Sequence, residues 1–215
     1  MIISPIQLQP IKELYNRGFY LQAYDAATVI APLNEWEGTE ALLLAGRMAG
    51  MLGAPRLMRR LHLRAWREDR AHPEAIYYYA RAILDWRGPW RAWMFMRRIE
   101  ELPDADKKLE SLPLLIQLAQ LQMDISDFQA ARQNFERASQ LSSLLEPEMR
   151  EWLNGRLAEA AYLCGDQNTA IELFNQAGEG FYKTIAERLA NASEDRKRVL
   201  LPVGFIRQHH VTCAP

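Results

Sequence analysis

The chain has 215 residues, of which 49% are hydrophobic and 25% are charged, and its formal net charge is −1. This composition is typical of a soluble protein with a sizeable core, and it gives no general reason to expect a nucleic-acid or membrane partner. No apolar run reaches the ~20 residues of a membrane-spanning helix. The N-terminal residues lack a signal-peptide pattern, and Cys164 and Cys213 lie in contexts that do not suggest disulfides. We therefore expect a cytoplasmic protein without a cofactor.

Five pairs of amphipathic helices are predicted in chain order, because every clearly periodic segment from residue 6 to residue 192 has the helical period. The predicted turns within the pairs contain, in order, Gly18, Gly53, Gly88, Ser126 and Gly165. One position in the second helix is equivalent across the five pairs: Ala23, Met58, Ala92, Ala131 and Ala170. These positions are 35, 34, 39 and 39 residues apart, which is typical of a repeat protein.

The fourth pair has the clearest pattern. Ala119 is the small residue of its first helix, and Ser126-Asp127 provides the turn and the cap. The second helix presents one stripe, formed by Phe128, Ala131, Phe135 and Ala138. This pair resembles a tetratricopeptide repeat, in which a small residue in the first helix is followed by an aromatic after the turn and then by Ala, Phe and Ala. The family period is 34 residues, so the last two intervals require longer helices or loops.

The resemblance implies an all-α fold, a right-handed TPR-like helical-repeat solenoid of about five helix pairs that occupies residues 1–192. A capping helix at residues 181–192 would end the array, with Phe181, Ile185 and Leu189 on one side. In the fourth pair, Ala131 is expected at the helix crossing and Arg132 on the outer side. Residues 193–198 are predicted to be a charged linker, and residues 199–215 a short extended tail.

The tail from Leu201 to Pro215 resembles the opening of the papain-like, double-glycine-type cysteine peptidases. The resemblance implies that Gln208 is the oxyanion donor and that Cys213 is the nucleophile at the start of a helix. Ala214 stands where the family commonly has glycine. The family's catalytic His and its Asp or Asn partner lie far downstream of the cysteine, so residues 1–215 alone are expected not to form a complete enzyme.

The tail has two other interpretations. It is either an apolar tail with an incidental cysteine or, with His209, His210 and Cys213 as donors, a metal site. Adjacent residues of an extended chain point to opposite faces, so the two histidines cannot easily share an ion. We therefore predict no metal site.

Positive charge is concentrated between Arg56 and Arg98, where eleven arginines face four acidic residues and give a local net charge of +7. Trp66, Trp86, Trp90 and Trp93 lie in or beside this span. Arginine interleaved with aromatics can stack on bases or bind anionic peptides. The favoured interpretation is a solvated outer face on a second helix, with the tryptophans packing between repeats.

TPR arrays usually bind extended peptides in the groove that their first helices line. By helical phasing, the inward positions are Lys12, Asn16, Arg47, Tyr77, Arg81, Gln120, Met123, Glu159 and Tyr162. Together Lys12, Arg47 and Arg81 can attract a carboxylate, although they do not reproduce the family's Lys/Asn/Arg carboxylate clamp. We therefore predict a protein–protein interaction module with a peptide or protein partner. The alternative is the N-terminal, substrate-recruiting part of a cysteine peptidase whose catalytic domain begins near Leu201.

Overall fold

The computed structural model describes residues 1–101, 111–141 and 147–192. These residues contain eleven α-helices and no β-strand, which confirms the predicted all-α class. The helices are α1 (Pro5–Asn16), α2 (Tyr20–Ile30), α3 (Thr39–Met51), α4 (Pro55–Glu68), α5 (Pro73–Arg87), α6 (Pro89–Glu100), α7 (Leu112–Asp124), α8 (Phe128–Leu141), α9 (Pro147–Leu163), α10 (Gln167–Gln176) and α11 (Phe181–Ala190). They form the five predicted pairs and one further helix. The predicted linker and tail lie outside the described residues.

The chain divides into two compact units. Unit 1 comprises Met1–Arg87 and the described part of Met94–Leu114, and unit 2 comprises Gly88–Trp93 and the described residues that follow Leu114. The core of unit 1 is built from α1 to α5, and Ile11, Leu42, Met48 and Leu61 are among its fully buried side chains. A small-residue cluster in unit 2 joins α9, α10 and α11 around Ala158, Ala161, Ala170, Phe174 and Ala186.

The turns within the helix pairs share one backbone geometry. Glycines with positive φ lie at the predicted turns, at 82° in Gly18, 77° in Gly53, 83° in Gly88 and 89° in Gly165. In four of the five pairs, the amide after this residue donates to a carbonyl five residues earlier, at 2.8–3.0 Å. This is the Schellman geometry that ends a helix with a left-handed residue. The fourth pair uses Ser126, with φ of 66°, so a non-glycine residue adopts the left-handed conformation there.

Close helix approach depends on small residues, as the sequence predicts. Ala131 and Ala170 are fully buried at their crossings, and Phe135 is buried beside the first of them. Gly46 of α3 lies against the imidazole of His62 so closely that a Cβ atom there would come within 2.3 Å of two ring atoms. In the second pair, therefore, the small residue at the close approach lies on the first helix and the large residue on the second, whereas Ala131 and Ala170 are small residues of second helices.

The last helix packs through a different face from the predicted one. Phe181 is 75% exposed, so the predicted stripe of Phe181, Ile185 and Leu189 is wrong at its first member. Tyr182 packs instead: its ring fills the space above Gly155 and stacks on Phe174 with centroids 6.1 Å apart. Gly155 of α9 leaves room for a ring at this point. The buried face of α11 is therefore shifted by one residue from the predicted face, so that Tyr182 fills this space.

Arg132 is not the unengaged outer residue that the sequence suggests, because its side chain is only 23% exposed. Its Nε donates to Glu136 Oε1 at 2.9 Å, and its Nη1 donates to Asp166 Oδ2 at 3.0 Å. Asp166 also caps α10 by accepting from the Thr169 amide at 3.2 Å. The guanidinium therefore connects the fourth helix pair to the start of the second helix of the fifth.

The connection between α2 and α3 forms part of the core of unit 1. A 3-10 turn at Leu33–Glu35 delivers Trp36 to a fully buried position, where its Nε1 donates to the Ala31 carbonyl at 3.0 Å. The first residues of the chain lie alongside this segment, since the Glu37 amide donates to the Met1 carbonyl at 2.9 Å. Ile3 is buried as a result, and it also lines a pocket of unit 1 that is described below.

Candidate functional site

A pocket of about 360 Å³ lies in unit 1 against the first helices of the first three pairs. Its apolar lining includes Ile3 before α1, Leu8 of α1, and Leu43 and Leu44 of α3. Its charged lining consists of Lys12, Glu40, Arg47 and Glu74. The structure thus brings together two of the predicted groove residues, Lys12 and Arg47, around an apolar floor.

Arg47 is held by aromatic rings. Its guanidinium carbon lies 4.6 Å from the centre of the Tyr15 ring and 5.6 Å from that of Tyr78. No carboxylate in the described part of the chain forms an ion pair with it. Because a guanidinium stacked on a ring keeps its in-plane N–H groups available, this placement orients Arg47 for a planar acceptor.

The aromatic cluster continues along α5 to the other two predicted residues of unit 1. Tyr77 contacts Tyr78 edge-on with centroids 5.1 Å apart, and its hydroxyl accepts from Arg81 Nη1 at 3.3 Å. This hydrogen bond raises the pKa of Arg81. Neither Tyr77 nor Arg81 lines the pocket, and Asn16 is exposed at the end of α1.

A buried histidine lies behind Arg47. His62 is 3% exposed, and neither ring nitrogen has a hydrogen-bond partner in the described residues. The pKa of His62 is lowered to about 4, chiefly by burial and also by the charge of Arg47, while the nearby Leu43 backbone opposes both effects. Its ring lies 5.1 Å from that of Tyr78, whose pKa burial raises. His62 therefore adds no positive charge near Arg47 at neutral pH.

The two carboxylates of the pocket were missed by the sequence reasoning. Glu40 Oε1 lies 3.0 Å from His72 Nε2, and Glu74 lies in the first turn of α5. Both were detectable by phasing, because Glu40 precedes Arg47 by seven residues and Glu74 precedes Arg81 by seven, which is about two helical turns. The pocket therefore offers two cations and two carboxylates rather than positive charge alone.

The predicted residues of unit 2 lie on α7 and α9. Glu159 accepts from Arg156 Nη1 at 2.6 Å, and Tyr162 packs against the buried cluster of α9 to α11. Gln120 is half-buried, whereas Met123 is only 8% exposed and is thus a core residue rather than a groove contact. Burial raises the pKa of Asp124, and the charge of Arg156 opposes this.

The comparisons with known proteins identify the fold through solved structures. No protein-family model matches the sequence, and no curated protein does. A crystal structure of MamA matches with 16% identity and a TM-score of 0.56, and the match covers 91% of this chain and 97% of that one. PilW, titled a widely conserved type IV pilus biogenesis factor, matches with 16% identity and a TM-score of 0.61 over 85% of this chain and 77% of that one. Both are TPR-like helical-repeat proteins. The fold of this chain is TPR-like.

The pocket lies against first helices, the surface on which the TPR resemblance predicts binding. The peptidase resemblance receives no support from the comparisons, and Gln208 and Cys213 lie outside the described residues. Within the described part, no group of three potential metal ligands is brought together. No helix there is both long and apolar enough to cross a membrane.

Proposed function

We propose that this chain is a protein-interaction module that binds an extended segment of a partner protein in the pocket of unit 1. The observation that supports this most is the combination of an apolar floor with Arg47 held between two tyrosine rings. Pockets of this size that are mainly apolar and carry a few placed polar groups are typical of ligand sites. The cytoplasmic location and the peptidase alternative stay predictions.

The charges of the pocket suit a peptide better than a simple anion. Arg47 and Lys12 can bind a carboxylate, as a side chain or as a C-terminus, and the planar guanidinium favours two parallel hydrogen bonds. Glu40 and Glu74 accept hydrogen bonds, so they suit backbone N–H groups or a basic side chain of the same segment. Leu8, Leu43 and Leu44 then cover an apolar side chain. A ligand that combines these groups is a polypeptide.

The test compares pairs of immobilised peptides that are identical except for a C-terminal acid or amide. We expect preference for the acids, and we expect Lys12→Gln and Arg47→Gln to reduce that preference. Lys183→Gln is the control, since this exposed lysine of unit 2 pairs with Glu179 and is far in sequence from the pocket residues. Peptide binding that is unchanged in both pocket variants would contradict the proposal, and so would a complete absence of peptide binding.

A further inference from the structure

The second helix of the second pair carries an exposed row of positive charge. Arg56, Arg60 and Arg67 of α4 are exposed, and none forms a hydrogen bond or ion pair with a described residue. They share one face of the helix. The outer two are eleven residues apart, which corresponds to about 16 Å along the axis.

The other arginines of α4 have structural roles that set them apart from this row. Arg64 donates from Nη1 to the Asn34 carbonyl at 2.7 Å and from Nη2 to the Trp36 carbonyl, so it fixes the segment before α3. Arg59 is half-buried, with its guanidinium over the ring of Trp86 at 5.5 Å. Arg59 and Arg64 therefore stabilise the fold, whereas the three arginines of the exposed row have no such contacts among the described residues.

The nearby carboxylates of Glu68 and Asp69 form hydrogen bonds elsewhere, and within the described residues neither forms an ion pair with the row. Glu68 Oε2, on the same helix, accepts from the Gly38 amide at 3.0 Å. Asp69 Oδ1 accepts from the Ala71 amide at 2.9 Å just beyond the end of α4. A row of exposed guanidinium groups without ion-pair partners attracts a partner of opposite charge.

An acidic partner is either a nucleic acid or an acidic protein segment, and the aromatic side chains beside α4 distinguish between these two. Trp66 already stacks on Tyr79 with centroids 5.2 Å apart, contacts Phe95 edge-on, and lies 5.3 Å from the Arg70 guanidinium. Trp86 has the guanidinium groups of Arg59 and Arg87 over its ring. Because their own chain occupies these rings, they are poor platforms for stacked bases. Guanidinium groups need no such platform to bind carboxylates.

We propose that the row of Arg56, Arg60 and Arg67 is a second docking surface, which takes an acidic segment of a partner protein. At about 3.3 Å per residue for an extended chain, carboxylates at the first, third and seventh positions of such a segment share one face. They lie about 6.6 and 13 Å apart, against rises of about 6 and 10.5 Å between the three arginines, a difference that the long Arg and Glu side chains span. This surface lies on a second helix, and none of its residues lines the pocket described above. It is independent of the proposed function of that pocket.

The probe is a fluorescein-labelled Gly/Ser peptide with glutamates at those three spacings, acetylated and amidated so that it offers no terminal carboxylate. Fluorescence anisotropy at low ionic strength is expected to show binding that weakens as salt is added. The variant R56E/R60E/R67E should bind about tenfold or more weakly. The control R98E/R150E/R188E changes net charge equally at three exposed positions on other helices and should bind nearly as the wild type does.

Three results would overturn the proposal: no binding of the peptide by the wild type, equal loss in the control variant, or tighter binding of a single-stranded oligonucleotide of the same charge. Circular dichroism verifies that each variant folds, and R56Q/R60Q/R67Q replaces the reversal variant if it does not. Lys12→Gln, which lies in the pocket, should leave binding of this amidated peptide unchanged. Failure of the acid/amide test alone would leave this surface unaffected.

Discussion

The left-handed serine in the fourth turn gives a prediction that can be worked out from the backbone. A non-glycine residue in this conformation costs about 1–2 kcal/mol, and replacing it by glycine costs about 0.4–1 kcal/mol in unfolded-chain entropy. The equivalent turns already use glycine at φ between 77° and 89°. We therefore expect Ser126→Gly to stabilise the chain by about 0.5–1 kcal/mol, the difference between these two terms.

The assay is urea unfolding followed by circular dichroism, in which this gain raises the midpoint by about 0.3 M. The reciprocal control is Gly165→Ser in the fifth turn, where a Cβ atom would meet nothing within 4 Å, so its cost is purely conformational. By the same two terms with opposite sign, that variant should lose about 0.5–1 kcal/mol. Ser126→Ala tests for a role of the hydroxyl. A lowered midpoint for Ser126→Gly, or no loss for Gly165→Ser, would refute the reasoning.

Three further outcomes are expected. The His62 pKa is lowered from 6.5 to about 4 in the folded chain. As the pH falls, the unfolded chain therefore takes up the proton first, and the stability that neutral His62 contributes is lost progressively between pH 6.5 and about 4. Between pH 7.5 and 4.5 this loss should be about 2.5 kcal/mol, and it should be absent from the urea midpoints of His62→Phe. Ala131→Leu should cost about 1–3 kcal/mol by overpacking, whereas Gln133→Leu, at an exposed site of the same helix, should change the urea midpoint little. Gly155→Ala should destabilise despite its better helix propensity, because its Cβ would lie 2.4 Å from the Tyr182 ring; Tyr182→Leu in the same chain should restore part of the melting temperature.

Local sequence patterns were enough to predict the helices and the turns. A turn that needs a left-handed residue selects glycine, and a close crossing selects alanine or glycine, so both leave a trace in the sequence. Gly18, Gly165 and Ala131 were found on these grounds.

Contacts between distant segments were not predicted, because no local period encodes them. Three such contacts are the burial of Trp36, the hydrogen bond of Arg132 to Asp166, and the packing of Tyr182 in place of Phe181. Each depends on residues that are distant in the sequence or on a space that another helix leaves. The pocket was foreseen in part: phasing identified Lys12 and Arg47. Glu40 and Glu74 were not predicted, because only the positively charged positions of the groove were taken as a site for a carboxylate.

The burial of Trp36 also provides an optical label. Of the six tryptophans, Trp36 is the one fully shielded from water, whereas Trp86 and Trp90 are 45% and 53% exposed. A shielded indole emits at shorter wavelength than a hydrated one, so the blue edge of the fluorescence spectrum reports the integrity of the segment between the first two helix pairs. Repeat proteins can lose structure one repeat at a time. A red shift of that edge before the loss of helical ellipticity would therefore show that this end of the chain opens first.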